Sequence, residues 1–205
     1  MAGVTAASPG PSSPRTVTPT VETVLAFVNT RADGGGSREL FADGDAFAAW
    51  LAEREDFDED FGGVAEPTDA DAAVARELRD ALVTLLLAHS GDPESQGEPL
   101  LRAERYLRSV GSLYPLAPVV TARGVELASP QTGVPRVFGT VLAAVTTAAQ
   151  SGDWGRVKAC LNPPCHFGFF DRTRNGGGLY CSTGCGSQVS MRKHRQRRRE
   201  AAPEA

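Results

Sequence analysis

The sequence predicts a mainly α-helical protein, in which a multihelical amino-terminal domain with a small β-hairpin precedes a small carboxy-terminal module made of a β-hairpin and a basic helix. Apolar residues recur at helical spacing in several segments before residue 155. All four cysteines follow residue 159. Residues 1–155 hold 11 Arg and 22 acidic residues, whereas residues 156–199 hold 10 Lys and Arg and one acidic residue. This asymmetry indicates that the first part repels polyanions and the second attracts them.

Changes in composition divide the chain. Residues 1–19 are rich in Ala, Ser, Thr, Gly and Pro and lack the continuous apolar stretch of a secretory signal, so we expect a disordered leader. The helical domain is predicted over residues 20–155, the carboxy-terminal module over 156–199 and a short tail over 200–205. No apolar run approaches the roughly 20 residues of a membrane span, and we therefore expect a cytoplasmic protein without a membrane partner.

Two helices are predicted near the start of the helical domain. Thr20 can cap the first, which ends at Asn29 and Thr30, and Asp45 can cap the second. An acidic connector follows over residues 53–66. The residues expected in the core are Val21, Val24, Leu25, Val28, Phe47, Trp50 and Leu51.

The clearest amphipathic pattern runs from Asp69 to Ser90, and a further helix is predicted from Glu98 to Val110. The apolar stripe of the longer helix comprises Val74, Leu78, Leu82, Leu85 and Leu86. Its residues expected to face water are Arg76, Glu77, Arg79 and Asp80. In the shorter helix, the residues expected to point inward are Leu100, Leu101, Leu107 and Val110.

A hairpin and a last helix complete the predicted helical domain. Two Val-rich strands, Ala117–Ala122 and Val125–Ala128, are interrupted by Arg123 and Gly124, a pair suited to a tight turn. Pro135 can begin a helix that runs to about Ser151. Because its apolar residues surround most of its circumference, we expect it to be the central helix of the domain. These residues are Val137, Phe138, Val141, Leu142 and Val145.

The four cysteines have the spacing of a metal site. Cys160 and Cys165 enclose four residues, Cys181 and Cys185 enclose three, and 15 residues separate the two pairs. Short loops of this kind each supply two thiolates to a tetrahedral zinc ion, and a cytosolic chain favours metal over disulfides. The sequence therefore predicts one structural Zn²⁺ held by all four cysteines.

The segment between the cysteine pairs is predicted to be a hairpin. Phe167, Phe169, Phe170 and Tyr180 bracket the turn sequence 174–176. So little apolar material cannot fold alone, and zinc binding, worth on the order of 10 kcal/mol, would supply the missing stability.

These residues resemble a known family. The stretch from Cys160 to Cys165, then Asp171-Arg-Thr-Arg-Asn-Gly176, Tyr180-Cys-Ser182 and Arg192-Lys-His-Arg195 are similar to the CGNR zinc finger. Members of that family pair the finger with an amino-terminal ABATE domain and are described as stress-induced transcription regulators. The segments Leu25–Thr30 and Trp50-Leu51 are similar to the opening of the ABATE domain.

Two departures from the family pattern matter. The Cys-Gly-Asn-Arg sequence that names the family corresponds here to Cys185-Gly186-Ser187-Gln188. The second cysteine pair usually encloses four residues and here encloses three, a length that zinc loops tolerate. Because this chain has Ser187 and Gln188 in place of the Asn and Arg, the role that those two residues have in the family is not assigned to it.

The carboxy-terminal helix is predicted over Ser187–Arg199, and its cations suit nucleic acid. Arg192, Arg195 and Arg199 fall on one face, and about six phosphate contacts would give log K a slope near −5 against log salt. Gln188 could pair with an adenine edge. The residues predicted to bind nucleic acid are Arg172, Arg174, Gln188, Arg192, Lys193, His194, Arg195, Arg197, Arg198 and Arg199.

The favoured function is a zinc-dependent, DNA-binding transcription regulator with no catalytic residues. The helical domain is predicted to sense a small-molecule effector or to form a homodimer. Asn29 within it is either a buried polar anchor or a ligand contact, and the sequence favours the structural role. Two alternatives stay open: an RNA- or ribosome-associated protein, and a module in which zinc stabilises a protein-docking surface. An enzyme is disfavoured because the three His and the remaining residues form no nucleophile and base arrangement.

Overall fold

The computed structural model describes residues 16–31, 38–60 and 66–200, so most of the predicted leader and the tail lie outside the described residues. The described ranges contain six α-helices and two two-stranded antiparallel sheets, which confirms a mainly α fold. The helices are α1 Pro19–Val28, α2 Gly44–Ala52, α3 Asp69–His89, α4 Glu98–Leu113, α5 Val134–Gln150 and α6 Thr183–Glu200. The strands are β1 Ala117–Thr121, β2 Gly124–Ala128, β3 Val157–Ala159 and β4 Gly168–Phe170. We call α1 to α5 with β1 and β2 the helical body, and β3, β4, α6 and their loops the finger.

The first two helices each start earlier than the sequence pattern predicted. Thr18, not Thr20, caps α1, because Pro19 fits the first helical position, where no amide donor is needed. Asp43, not Asp45, caps α2 and accepts a 2.8 Å hydrogen bond from the Ala46 amide. The predicted core residues of α2 are buried as expected.

Helix α3 covers the span that the sequence predicts, but one residue predicted to face water is buried. Thr68 and Asp71 form a capping box at its start. Arg79 was predicted to face water but is only 3% exposed. Its guanidinium lies 5.7 Å from the Phe41 ring and donates to Glu39 Oε1 at 2.5 Å. The segment before α2 thus covers a side chain that the helical pattern alone places in solvent.

The elements α4, β1, β2 and α5 follow the predicted order. Leu101 on α4 was predicted to point inward but is 50% exposed, because α4 packs against α3 along one narrow stripe that includes Ala103 and Val110. The hairpin turn is Ala122–Arg123, one residue earlier than predicted, since Thr121 pairs with Gly124. Helix α5 buries Val137, Phe138 and Val141 against the core as predicted.

The core of the body is a cluster of aromatic rings. Phe47 stacks on Phe138 of α5 with ring centroids 6.2 Å apart, and Trp50 lies edge-on to Phe41 at 5.1 Å. Phe27 and Phe57 contact the same Trp50 ring. These contacts join α1, α2 and α5 around one apolar centre. No helix in the described ranges has the length and apolar character needed to cross a membrane.

The finger packs directly against the helical body. All three residues of β3 are buried, and the strand packs against α3. Ser90 Oγ donates to the Ala159 carbonyl at 2.6 Å, and His89 Nδ1 lies 2.9 Å from the Val157 carbonyl. On the other side, Asn29 exchanges two hydrogen bonds with the backbone of Gly168, at 2.6 and 3.0 Å. Asn29 therefore makes the contacts expected of a structural anchor, the role that the sequence favours.

Candidate metal centre and nucleic-acid interface

The four cysteines come from three short segments that converge. Cys160 follows β3, Cys165 precedes β4, and Cys181 and Cys185 flank the start of α6. All four Sγ atoms lie within 4.8 Å of one another. The Sγ of Cys181 is 3.7 Å from the Sγ of Cys165 and 3.7 Å from that of Cys185.

These distances fit a tetrahedral zinc site. Zinc–sulfur bonds of about 2.3 Å in a tetrahedron place the sulfurs about 3.8 Å apart, whereas a disulfide requires about 2.05 Å. Cys160 is buried and the other three cysteines are half-buried. The four thiolates fill every position of a tetrahedral ion, which is the arrangement of a structural zinc site.

The thiols differ in how readily they ionise. Burial raises the pKa of Cys165 to about 11 and also raises the pKa of Cys181. A hydrogen bond from the Asn162 side chain lowers the pKa of Cys185 to about 7. Zinc binds thiolates, so its binding must release protons from Cys165 and Cys181, and its affinity falls as the solution becomes more acidic.

The hairpin predicted between the two cysteine pairs is wrong, because its first strand pairs with the segment before it. Strand β4 pairs with β3, in the register Val157 to Phe170, so the first cysteine loop is the connection of the hairpin. Gly176 does lie in a turn, with φ of 64°, but no strand of the described residues follows it. The sequence pattern of aromatic residues did not indicate that the preceding segment would supply the partner strand.

A buried carboxylate explains why residues 171–178 form a loop instead. Asp171 is only 1% exposed and accepts hydrogen bonds from Lys158 Nζ at 2.9 Å and the Gly178 amide at 2.7 Å. Thr173 donates to its other oxygen through both its amide and its hydroxyl. Burial alone would raise the pKa of Asp171, but the hydrogen bonds from Thr173, Lys158 and Gly178 hold it well below its usual range.

The two cations at the start of the basic region are used inside the finger. Lys158 is buried and also donates to the carbonyls of Gly176 and Gly178. Arg156 donates to the carbonyls of Asp171 at 2.9 Å and Thr173 at 2.7 Å. The charge pattern alone could not separate these two cations from those that face solvent.

Helix α6 begins inside the second cysteine loop, four residues before the predicted start. Thr183 and Cys185 lie in its first turn, so the metal ligands and the basic residues share one helix. Every residue from 191 to 200 is exposed. Exposed cations also occur on the preceding loop at Arg172 and Arg174.

Two of the predicted nucleic-acid contacts are engaged within the finger. Asn162, in the first cysteine loop, donates to Gln188 Oε1 at 2.9 Å. Its Oδ1 accepts a hydrogen bond from Arg192. Asn162 is 3% exposed, and the sequence pattern does not indicate a role for it. An asparagine placed between two metal ligands was the only signal for it.

The comparisons with known families agree with the cysteine geometry and with the helical body. Residues 156–198 match the CGNR zinc finger, and residues 22–151 match the ABATE family, which is described as a putative stress-induced transcription regulator. A search of the curated proteins finds no significant match. The ABATE match spans more than half of the chain. The protein therefore belongs to the ABATE family and carries a CGNR zinc finger after its ABATE domain.

Proposed function

We propose that this protein is a zinc-dependent transcription regulator that binds duplex DNA through its finger, while the helical body acts as a sensor or a dimerisation unit. The observation that carries the proposal is the position of α6. Its first turn holds a metal ligand, and its second half presents only exposed residues, most of them cationic. Zinc would fix the base of this helix and leave the cations free for phosphates.

The electrostatic arrangement supports a polyanionic ligand. Seven cations of the finger are exposed in the structure and make no hydrogen bond or ion pair with described side chains. The helical body is acidic and would repel phosphate, which confines such a ligand to the finger. These seven cations are Arg172, Arg174, Lys193, Arg195, Arg197, Arg198 and Arg199, and exposed His194 lies among them.

The chemistry of the metal site supports binding over catalysis. A catalytic zinc ion keeps an open position for water and needs a nearby base. Here four thiolates can complete the coordination, the Asp171 carboxylate is buried against Lys158, and the other carboxylate of the finger, Glu200, lies at the far end of α6. The ABATE and CGNR matches are likewise to regulator and zinc-finger families.

A binding titration of the full chain with zinc tests the proposal. Fluorescence anisotropy with a labelled DNA duplex should show binding whose log K falls with log salt at a slope near −5, if about six cations contact phosphates. Replacing Arg195, Arg198 and Arg199 together by Ala should remove most of the affinity. Tighter binding to a structured RNA would favour the RNA-associated alternative, and absence of salt-dependent binding to either polymer would favour a protein-docking module.

The sensor role would place an effector at the junction of body and finger. A cleft of 640 Å³ lies there between α1 and β4. Leu25 and Ala26 line one side, and Phe167 and Arg172 line the other, with Phe167 44% exposed. An apolar wall beside a free guanidinium suits a small aromatic or aliphatic carboxylate. Benzoate and decanoate should raise the thermal unfolding temperature of the protein but not that of Arg172→Ala.

A further inference from the structure

The contacts of Asn162 connect the metal loop to the middle of the basic helix. Gln188 and Arg192 are four residues apart, so they lie one turn apart on the same face of α6. Asn162 uses its amide nitrogen for the first and its amide oxygen for the second, in addition to the hydrogen bond that its side chain makes with the Cys185 thiol. Its carbonyl also accepts a 2.7 Å hydrogen bond from the Cys165 amide, which fixes the residue within the loop.

Helix α6 has little else to set its direction. It has no buried residue along its length. Its cations follow one another at helical spacing and repel, and isolated helices of this length are marginal in water. Of the metal ligands only Cys185 lies within α6, in its first turn, whereas the Asn162 contacts reach one and two turns further.

We propose that Asn162 is a positioning residue that fastens the basic helix to the zinc loop, with Gln188 and Arg192 as its partners. On this assignment, Gln188 and Arg192 orient the helix and do not contact nucleic acid. The remaining cations from Lys193 onward then project from a helix of fixed direction. The structural part of this inference stands without the proposed function, whereas the statement on nucleic acid rests on it.

Hydrogen exchange tests the structural part on the full chain loaded with zinc. Asn162→Ala should retain one zinc per chain, while the α6 amides between residues 188 and 196 exchange about ten-fold faster. The matched control is Asn175→Ala, which changes an exposed asparagine of the same module and should leave the exchange of α6 unchanged. Unchanged exchange in a zinc-loaded Asn162→Ala protein would overturn the assignment.

A second variant covers the case in which Asn162→Ala fails to hold zinc. Gln188→Ala combined with Arg192→Ala leaves the first cysteine loop intact and removes the same two hydrogen bonds. It should accelerate exchange over the same stretch of α6 to a similar extent. Exchange at the parent rate would show that these contacts do not position the helix.

Salt titration tests the assignment of Arg192. Arg195→Gln should reduce the salt slope of DNA binding by about 0.9, because it removes a phosphate contact. Arg192→Gln should weaken binding several-fold and leave the slope unchanged. An equal loss of slope in both variants would make Arg192 a phosphate contact and contradict the assignment. If the parent protein binds no nucleic acid, the proposed function fails, while hydrogen exchange still decides the role of Asn162.

Discussion

The helical body buries aromatic rings, whereas the finger buries a lysine, an aspartate and a cysteine. In the body, Phe47, Phe138 and Trp50 lie in one apolar cluster. In the finger, Val157 and Ala159 join that cluster, and Lys158, Asp171 and Cys160 are buried as well. The body is therefore stabilised mainly by the burial of apolar area, whereas the finger also depends on buried polar contacts and a metal site. This difference means that the two regions should respond to different perturbations.

The largest expected effect is the loss of the metal site. Cys181→Ser should reduce the zinc content from one per chain to none and unfold the finger, because structural zinc supplies on the order of 10 kcal/mol to such modules. Metal analysis and circular dichroism measure the two consequences. The helical signal of the body should persist, and Ser187→Ala on exposed α6 serves as the control. A Cys181→Ser protein that keeps its zinc would contradict the assigned ligand set.

The next effect tests the buried ion pair of the finger. Lys158→Met leaves Asp171 buried without its cation and should destabilise the finger by about 3–5 kcal/mol. Adding Asp171→Asn should restore part of that loss, because no uncompensated charge then remains buried. Hydrogen exchange of the finger amides in the single and double variants measures both. A double variant less stable than Lys158→Met would argue against this account of the pair.

The corresponding test in the body is truncation of an aromatic side chain. Phe47→Ala removes a fully buried ring and should lower the free energy of unfolding by about 3–5 kcal/mol. Leu101→Ala changes an apolar side chain that is half exposed and should cost less than about 0.5 kcal/mol. Denaturant unfolding of both variants gives the values. Equal losses would show that the aromatic cluster does not dominate the stability of the body.

The smallest effect concerns the contact between the two regions. Asn29→Ala removes both hydrogen bonds to Gly168. It should weaken the packing of the finger against the body by about 1–2 kcal/mol, without loss of zinc. The exchange rate of the β3 and β4 amides is the appropriate measurement. If these rates match those of the parent, the contacts of β3 with α3 alone hold the finger in place.

The sequence was most informative where the determinants are local. The span Asp69–Ser90 was predicted because its capping residues and apolar period are both encoded within the helix itself. The metal ligands were predicted because zinc requires thiols at short, recognisable spacings. Their convergence within 4.8 Å agrees with that prediction.

The sequence was least informative where distant segments meet. Arg79 is buried because Glu39 and Phe41, about 40 residues earlier, cover it. The strand partner of β4 is β3, since Asp171 draws the following residues into a loop around its carboxylate. The Asn162 contacts span 26 and 30 residues. Neither helical period nor cysteine spacing carries information on such contacts.

The dependence of the basic helix on the metal is tested most directly by comparing DNA binding of the full chain with one zinc bound and after removal of zinc by a chelator. We expect salt-dependent binding by the zinc-loaded protein and its loss on zinc removal, while circular dichroism shows that the helical body stays folded. Readdition of zinc should restore binding. Undiminished binding by the zinc-free protein would contradict the claim that the metal site supports the basic helix.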